Sequence, residues 1–122
     1  MSVRKGDIYW VDILQGETVG SEQYGRHPFL VISRSELNGQ RTVVGIPFTS
    51  QFHKAAGHRV AIPAREVIKE AGCQSKIVNS VALTDQIRVL DKSRLEQRIG
   101  KLSDQAIIAV EIGLSNLFDI PS

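Results

Sequence analysis

Arg26 and His27 stand side by side at the end of a polar stretch, Gly20-Ser21-Glu22-Gln23-Tyr24-Gly25. Directly after them come Pro28 and the apolar run Phe29-Leu30-Val31-Ile32. Arginine stays charged and forks onto phosphate or carboxylate oxygens. An imidazole titrates near neutrality and can carry a proton. Glycine and proline punctuate, and an aromatic, β-branched run reads as a strand. The pattern therefore predicts a loop that delivers a fixed cation and a proton carrier to the mouth of a buried strand. Rigid scaffolds often carry chemistry at such places. A solvated, basic hairpin loop accounts for the same residues. A second polar pair, Thr49-Ser50, follows Pro47-Phe48, where a proline without an N–H should end strand pairing or kink the strand.

Other chemistries find little support. His53 and His58 are five apart on a loop and a strand, without the spacing or cysteine partners of a metal site. No Gly-rich phosphate loop, Gly-x-Ser-x-Gly elbow or Arg-rich recognition helix is present. Asp7, Asp12 and Glu22 leave a paired-carboxylate site open, against the ordinary fate of solvated acids near strand ends. The chain has 122 residues, 42% hydrophobic and 23% charged, which predicts one soluble domain spanning residues 1–122. Its net charge of +2 permits a polyanionic partner, provided that the basic patch is local. Cys73 is the single cysteine, so no intrachain disulfide forms. No signal peptide or bilayer-length apolar run is seen, and a cytoplasmic location without membrane contact is expected.

The elements that must position these residues are mostly strands. Asp7–Asp12 alternates, with Ile8, Trp10 and Asp12 on one face and Tyr9 and Val11 on the other. Strands are predicted over Phe29–Ser33, Arg41–Phe48, His58–Ile62 and Ser80–Arg88, and an edge strand over Glu96–Lys101. Asn38-Gly39 marks a turn, and Gln51–Gly57 a hairpin loop. A short helix is predicted over Ala64–Ala71, closed by Gly72, and a capped turn over Asp91–Leu95. Ser103 is a candidate N-cap for a last helix to Leu117, with Ile107, Ile108, Val110, Ile112 and Leu114 following the helical period. The fold class is mainly β (α+β): a small, SH3-like, partly closed antiparallel barrel with a C-terminal α-helix.

Several segments occur in an order that resembles the MazF/PemK toxins of toxin–antitoxin modules. They are Lys5 to Asp12, Gly20-Ser21-Glu22-Gln23, Gly25 to Pro28, Ile46-Pro47-Phe48-Thr49-Ser50 and Ser80 to Arg88. The correspondence runs from Arg4 to Leu117. It implies the barrel fold that these toxins share with CcdB-like toxins, and a homodimer. It further implies sequence-specific, metal-independent cleavage of single-stranded mRNA without a cofactor. Inhibition by a cognate antitoxin would follow, in a toxin–antitoxin hetero-oligomer that meets operator DNA only through the antitoxin. In that family an arginine typically stands directly before the loop proline, and a threonine after the third strand assists it. Thr49 matches the second position. At the first, His27 precedes Pro28 and Arg26 comes one residue earlier, so either residue can fill the arginine's role. Alternatives on the same fold are a non-nucleolytic toxin that inhibits a protein such as DNA gyrase, and a catalytically weakened relative.

The residue types suit that chemistry. RNA cleavage by the substrate's own 2′-hydroxyl needs a base, a stabiliser of the phosphorane charge and an acid for the leaving oxygen. Arg26 suits the charge, His27 a proton transfer, and Thr49 a donor to a non-bridging oxygen. Glu22 can orient Arg26 or act as a base. Gln23, Tyr24, Ser50, Phe52, His53 and Lys54 are candidate RNA contacts on loops, through stacking and positive charge. Asp85, Gln86 and Arg88 are candidates for a polar groove wall. Trp10 is expected in the core or a dimer interface.

Overall fold

The computed structural model describes residues 2–14, 25–35, 40–70 and 77–121. Eight strands form one antiparallel sheet in the order β4-β6-β3-β2-β1-β8-β5, with β7 also paired to β3. In chain order they are β1 (Asp7–Ile13), β2 (Gly25–Val31), β3 (Thr42–Thr49), β4 (Val60–Ile62), β5 (Val67–Lys69), β6 (Ser80–Ala82), β7 (Arg88–Asp91) and β8 (Arg98–Leu102). One helix, α1 (Asp104–Phe118), closes the chain. The sheet curls, so both faces of β1 are buried. Ile8 joins Leu30, Ile46, Phe48 and Val110 in one core cluster, with Trp10 packed against it. Tyr9, Val11 and Ile13 join Phe29, Val31 and Leu90 in the other. The alternation expected of β1 thus feeds two cores.

β2 starts at Gly25, earlier than the expected Phe29, because β1 supplies partners as far as Ile13. Gly25 has φ +87°, a conformation that favours glycine. Arg26 and His27 are therefore strand residues, paired with Asp12 and Val11, and are not delivered by a loop. Pro28 pairs with Trp10. The Trp10 N–H donates to Gln97 O, and Trp10 O accepts from Glu96 N. Both polar groups of Trp10 thus point away from β2, and Trp10↔Pro28 is a non-hydrogen-bonded pair. The missing N–H of Pro28 falls on the β3 side. There the ladder runs Val31↔Gly45, Leu30↔Ile46, Phe29↔Pro47 and then ends. The next pair would join Phe48 to Pro28, which has no N–H to give. The failure of pairing predicted at Pro47 is not observed there: Pro47 is matched to Phe29, the ladder ends one pair later at Pro28, and β3 continues on β6 through Phe48 and Thr49.

Further expectations are corrected. β3 and β4 each pair with β6 and not with each other, so Gln51–Gly57 is not a hairpin loop. Residues Ala64–Glu66 form only a 3₁₀ turn, and Val67–Lys69 is strand β5, paired to β8. Sheet pairing overrides helix propensity here. Gly100 permits it, since a Cβ there would lie 2.3 Å from Ile68 O. Ala71, Gly72 and the Asn38-Gly39 turn lie outside the described residues. The segment Ser80–Arg88 is two strands, broken by a 3₁₀ turn at Thr84–Gln86. The buried Thr84 hydroxyl donates to His58 O and meets His58 Nδ1 at 2.9 Å, a local alternative to the ladder. β8 is interior, between β1 and β5, because the chain returns at Val67 to cover it.

The last correction concerns α1. Ser103 caps it as expected, its hydroxyl accepting from Ala106 N. Its buried face is Ala106, Val110 and Gly113, with Ile107 and Leu114 at the margin. Ile108 and Ile112 face outward at 56% and 57% exposure. Close approach selects the small residues: a Cβ on Gly113 would lie 2.5 Å from His58 O. The capped turn after Asp91 is observed at Lys92–Arg94, with the Asp91 side chain accepting from Ser93 N.

Two stability experiments follow. Gly113→Ala should cost about 1–3 kcal/mol, because backbone rather than a side-chain tip must yield. Urea unfolding checks it as a lower midpoint at unchanged m. The Arg59 guanidinium forks onto Asp85 at 2.8 and 2.7 Å. That hydrogen bonding holds the Asp85 carboxyl below its ordinary 3.8. Such a pair stabilises above the ordinary carboxylate range and is lost as pH falls through the depressed folded value. Asp85→Asn should therefore lower the urea midpoint at neutral pH and converge with the wild type in strong acid.

Candidate functional site

Where β2 and β3 part, a cavity of about 220 Å³ opens. Trp10, Pro28, Phe48, Ile77 and Val78 give it apolar walls, and Arg26, His27, Thr49, Ser50 and Ser80 line it with polar groups. The three residues expected to do chemistry are thus brought together. Strand alternation separates them into two sets. His27 shares the side of Phe29, whose partner Pro47 lies two residues before Thr49. Arg26 shares the side of Pro28 and Trp10. With the ladder open, both sides of β2 border the same space.

Three of the polar groups, Thr49, Ser80 and Arg26, are anchored. Thr49 is 4% exposed. Its Oγ1 accepts from Gln51 N at 3.3 Å, which leaves the hydroxyl proton to donate elsewhere. The Ser80 hydroxyl donates to Val78 O at 2.8 Å. Arg26 Cζ lies 4.5 Å from the Trp10 ring centroid, a cation–π contact. Arg26 Nε donates to Glu96 Oε1 at 3.0 Å. Trp10 is therefore part of this site as well as packed on the core.

The other sequence candidates divide. Ser50 lines the cavity. Glu22, Gln23 and Tyr24 lie outside the described residues. Phe52, His53 and Lys54 form a 3₁₀ turn just beyond Ser50, with Phe52 45% exposed, and are not among the lining residues. Asp85 is held by Arg59, and neither it, Gln86 nor Arg88 lines the cavity. Asp7 is buried and takes Arg4 N and Arg98 Nη2, while Asp12 is exposed, so no paired-carboxylate site forms between them. Among the described residues no group of His, Cys, Asp or Glu is arranged to hold a metal ion. Glu96, Ile77, Val78 and Ser80 were missed. They join the site through tertiary contacts, and nothing in their local pattern marks them.

Residues 4–118 match the family of PemK-like, MazF-like toxins of type II toxin–antitoxin systems. The chain is 35% identical over 117 residues to endoribonuclease EndoA of Bacillus subtilis (strain 168), covering 93% of this chain and 92% of that protein. It is similar to MazF (Form-I) of Deinococcus radiodurans, with TM-score 0.75, 26% identity and coverage of 98% and 99% of the two chains. It also resembles MazE–MazF (Form-II) of the same organism, with TM-score 0.73, 25% identity and 99% of each chain covered. The expected curled antiparallel sheet with one C-terminal helix is thus that of known MazF structures, and the chain belongs to the PemK-like, MazF-like toxin family.

Proposed function

We propose that this chain is an endoribonuclease toxin that cleaves single-stranded mRNA at a short sequence through the substrate's own 2′-hydroxyl. The convergence of Arg26, His27 and Thr49 on one cavity, in a chain 35% identical to an endoribonuclease, carries the reading. His27 takes the 2′-hydroxyl proton, or gives one to the leaving 5′-oxygen. The 2′-oxygen forms its bond to phosphorus as the bond to the 5′-oxygen breaks, leaving a 2′,3′-cyclic phosphate and a 5′-hydroxyl. Arg26 holds the charge that builds on the phosphorane, and Thr49 Oγ1 donates to a non-bridging oxygen. The apolar walls suit an unstacked base. Water takes the proton role that His27 does not, and no step calls on a metal ion, so cleavage should proceed in a chelator.

The working form in this reading is a cytoplasmic homodimer neutralised by a cognate antitoxin. The antitoxin partner is supported by a Deinococcus MazE–MazF structure similar to this chain. An extended acidic antitoxin segment would compete with RNA for the same cationic groove.

Three substitutions test the roles on a labelled RNA in chelator. Arg26→Ala should lower the rate at every pH, because arginine stays charged throughout. His27→Ala should lose ~10²–10⁴-fold and alter the pH profile of the rate. Thr49→Val should cost less, removing one neutral donor. A His27→Ala enzyme with the wild-type rate and pH profile would falsify the proton-transfer role.

A further inference from the structure

We propose that Glu96 is a positioning residue of this site, which with Trp10 holds the Arg26 guanidinium at the cavity rim for an RNA phosphate. The inference rests on the ribonuclease reading above and deepens it. Its basis is a row of side chains across adjacent backbone segments. Trp10 sits at the centre. On one side its strand pairs with β2, with Asp12 opposite Arg26. On the other, Trp10 O accepts from Glu96 N at 2.9 Å and Trp10 N donates to Gln97 O at 3.0 Å. These two backbone bonds fix Glu96 beside Trp10. Arg26 then reaches across the indole face, 4.5 Å from the ring centroid, and places Nε 3.0 Å from Glu96 Oε1.

The consequence is orientational. A guanidinium is planar, and Glu96 takes it at Nε, so the edge formed by Nη1 and Nη2 is the one presented to a phosphate fork. An arginine free to rotate would lose rotamer entropy on binding; one already pinned loses less. Asp12, opposite Arg26 in register, and Arg94, which donates to Asp12 O, are further charged groups in this region. Arg26 and Glu96 side chains are 50% and 44% exposed, so the clamp is weak. Its loss should cost about two- to fivefold, in line with exposed ion pairs.

The test is a double-mutant cycle on kcat/KM with an RNA that the wild type cuts. Glu96→Ala should lower kcat/KM about two- to fivefold. Glu96→Gln, which keeps the acceptor oxygen, should recover most of the loss. In an Arg26→Ala background, Glu96→Ala should have no further effect. Emission of Trp10, the single tryptophan, checks that each variant unfolds at the wild-type urea midpoint. A Glu96→Ala enzyme equal to or faster than wild type overturns the proposal, since Glu96 is then a bystander or repels RNA. An equal loss with and without Arg26 also overturns it, because Glu96 then acts elsewhere. A wild type that cuts no RNA fails the ribonuclease reading itself, and the clamp with it.

Discussion

One missing N–H organises this molecule. Pro28 sits on β2 at a position whose polar groups face β3 and would have to exchange hydrogen bonds with Phe48. It cannot donate, so the β2–β3 ladder ends after Phe29↔Pro47. β3 does not end with it: Pro47 O takes Leu83 N, and Phe48 and Thr49 run on along β6. The two strands diverge while each keeps a partner on its far side. The opening between them is therefore a cavity bordered mostly by strand residues.

That origin explains how neighbours in sequence come to differ in surroundings. Arg26 and His27 project to opposite sides of β2. The first lies across Trp10 and against Glu96; the second falls on the side of Phe29. A loop would leave both orientations free. A strand paired with β1 settles them, and in doing so separates a held cation from a titratable ring. The resemblance to the MazF/PemK toxins implies an arginine directly before this proline; here His27 holds that position and Arg26 stands one residue earlier, and both line the cavity.

Much of this was legible in the sequence. The alternation of Ile8, Tyr9, Trp10 and Val11, the Ser103 cap and the candidates Arg26, His27 and Thr49 were all visible locally, whereas the break expected at Pro47 belongs to Pro28. What failed was set by contacts distant in sequence. β2 could not be extended back to Gly25 without knowing that β1 reaches Ile13. The helix expected over Ala64–Ala71 gave way to a strand because Gly100 lets the backbone of Ile68 approach. The buried face of α1 was misjudged because the isoleucines are larger than the alanine and glycine that face the sheet, and only the nearness of His58 O explains the choice. Glu96 was unreadable for the same reason: its partner is Arg26, 70 positions away.

The central claim is that His27 opens onto the cavity in which RNA is cut. The three imidazoles, His27, His53 and His58, can be followed by proton–nitrogen spectra of the side chains. On titration with a short 2′-O-methylated RNA, which cannot attack its own phosphate, the His27 ring signals should shift to saturation. His58, bonded to Thr84, should keep its position. Saturable binding that leaves His27 unmoved would contradict the account.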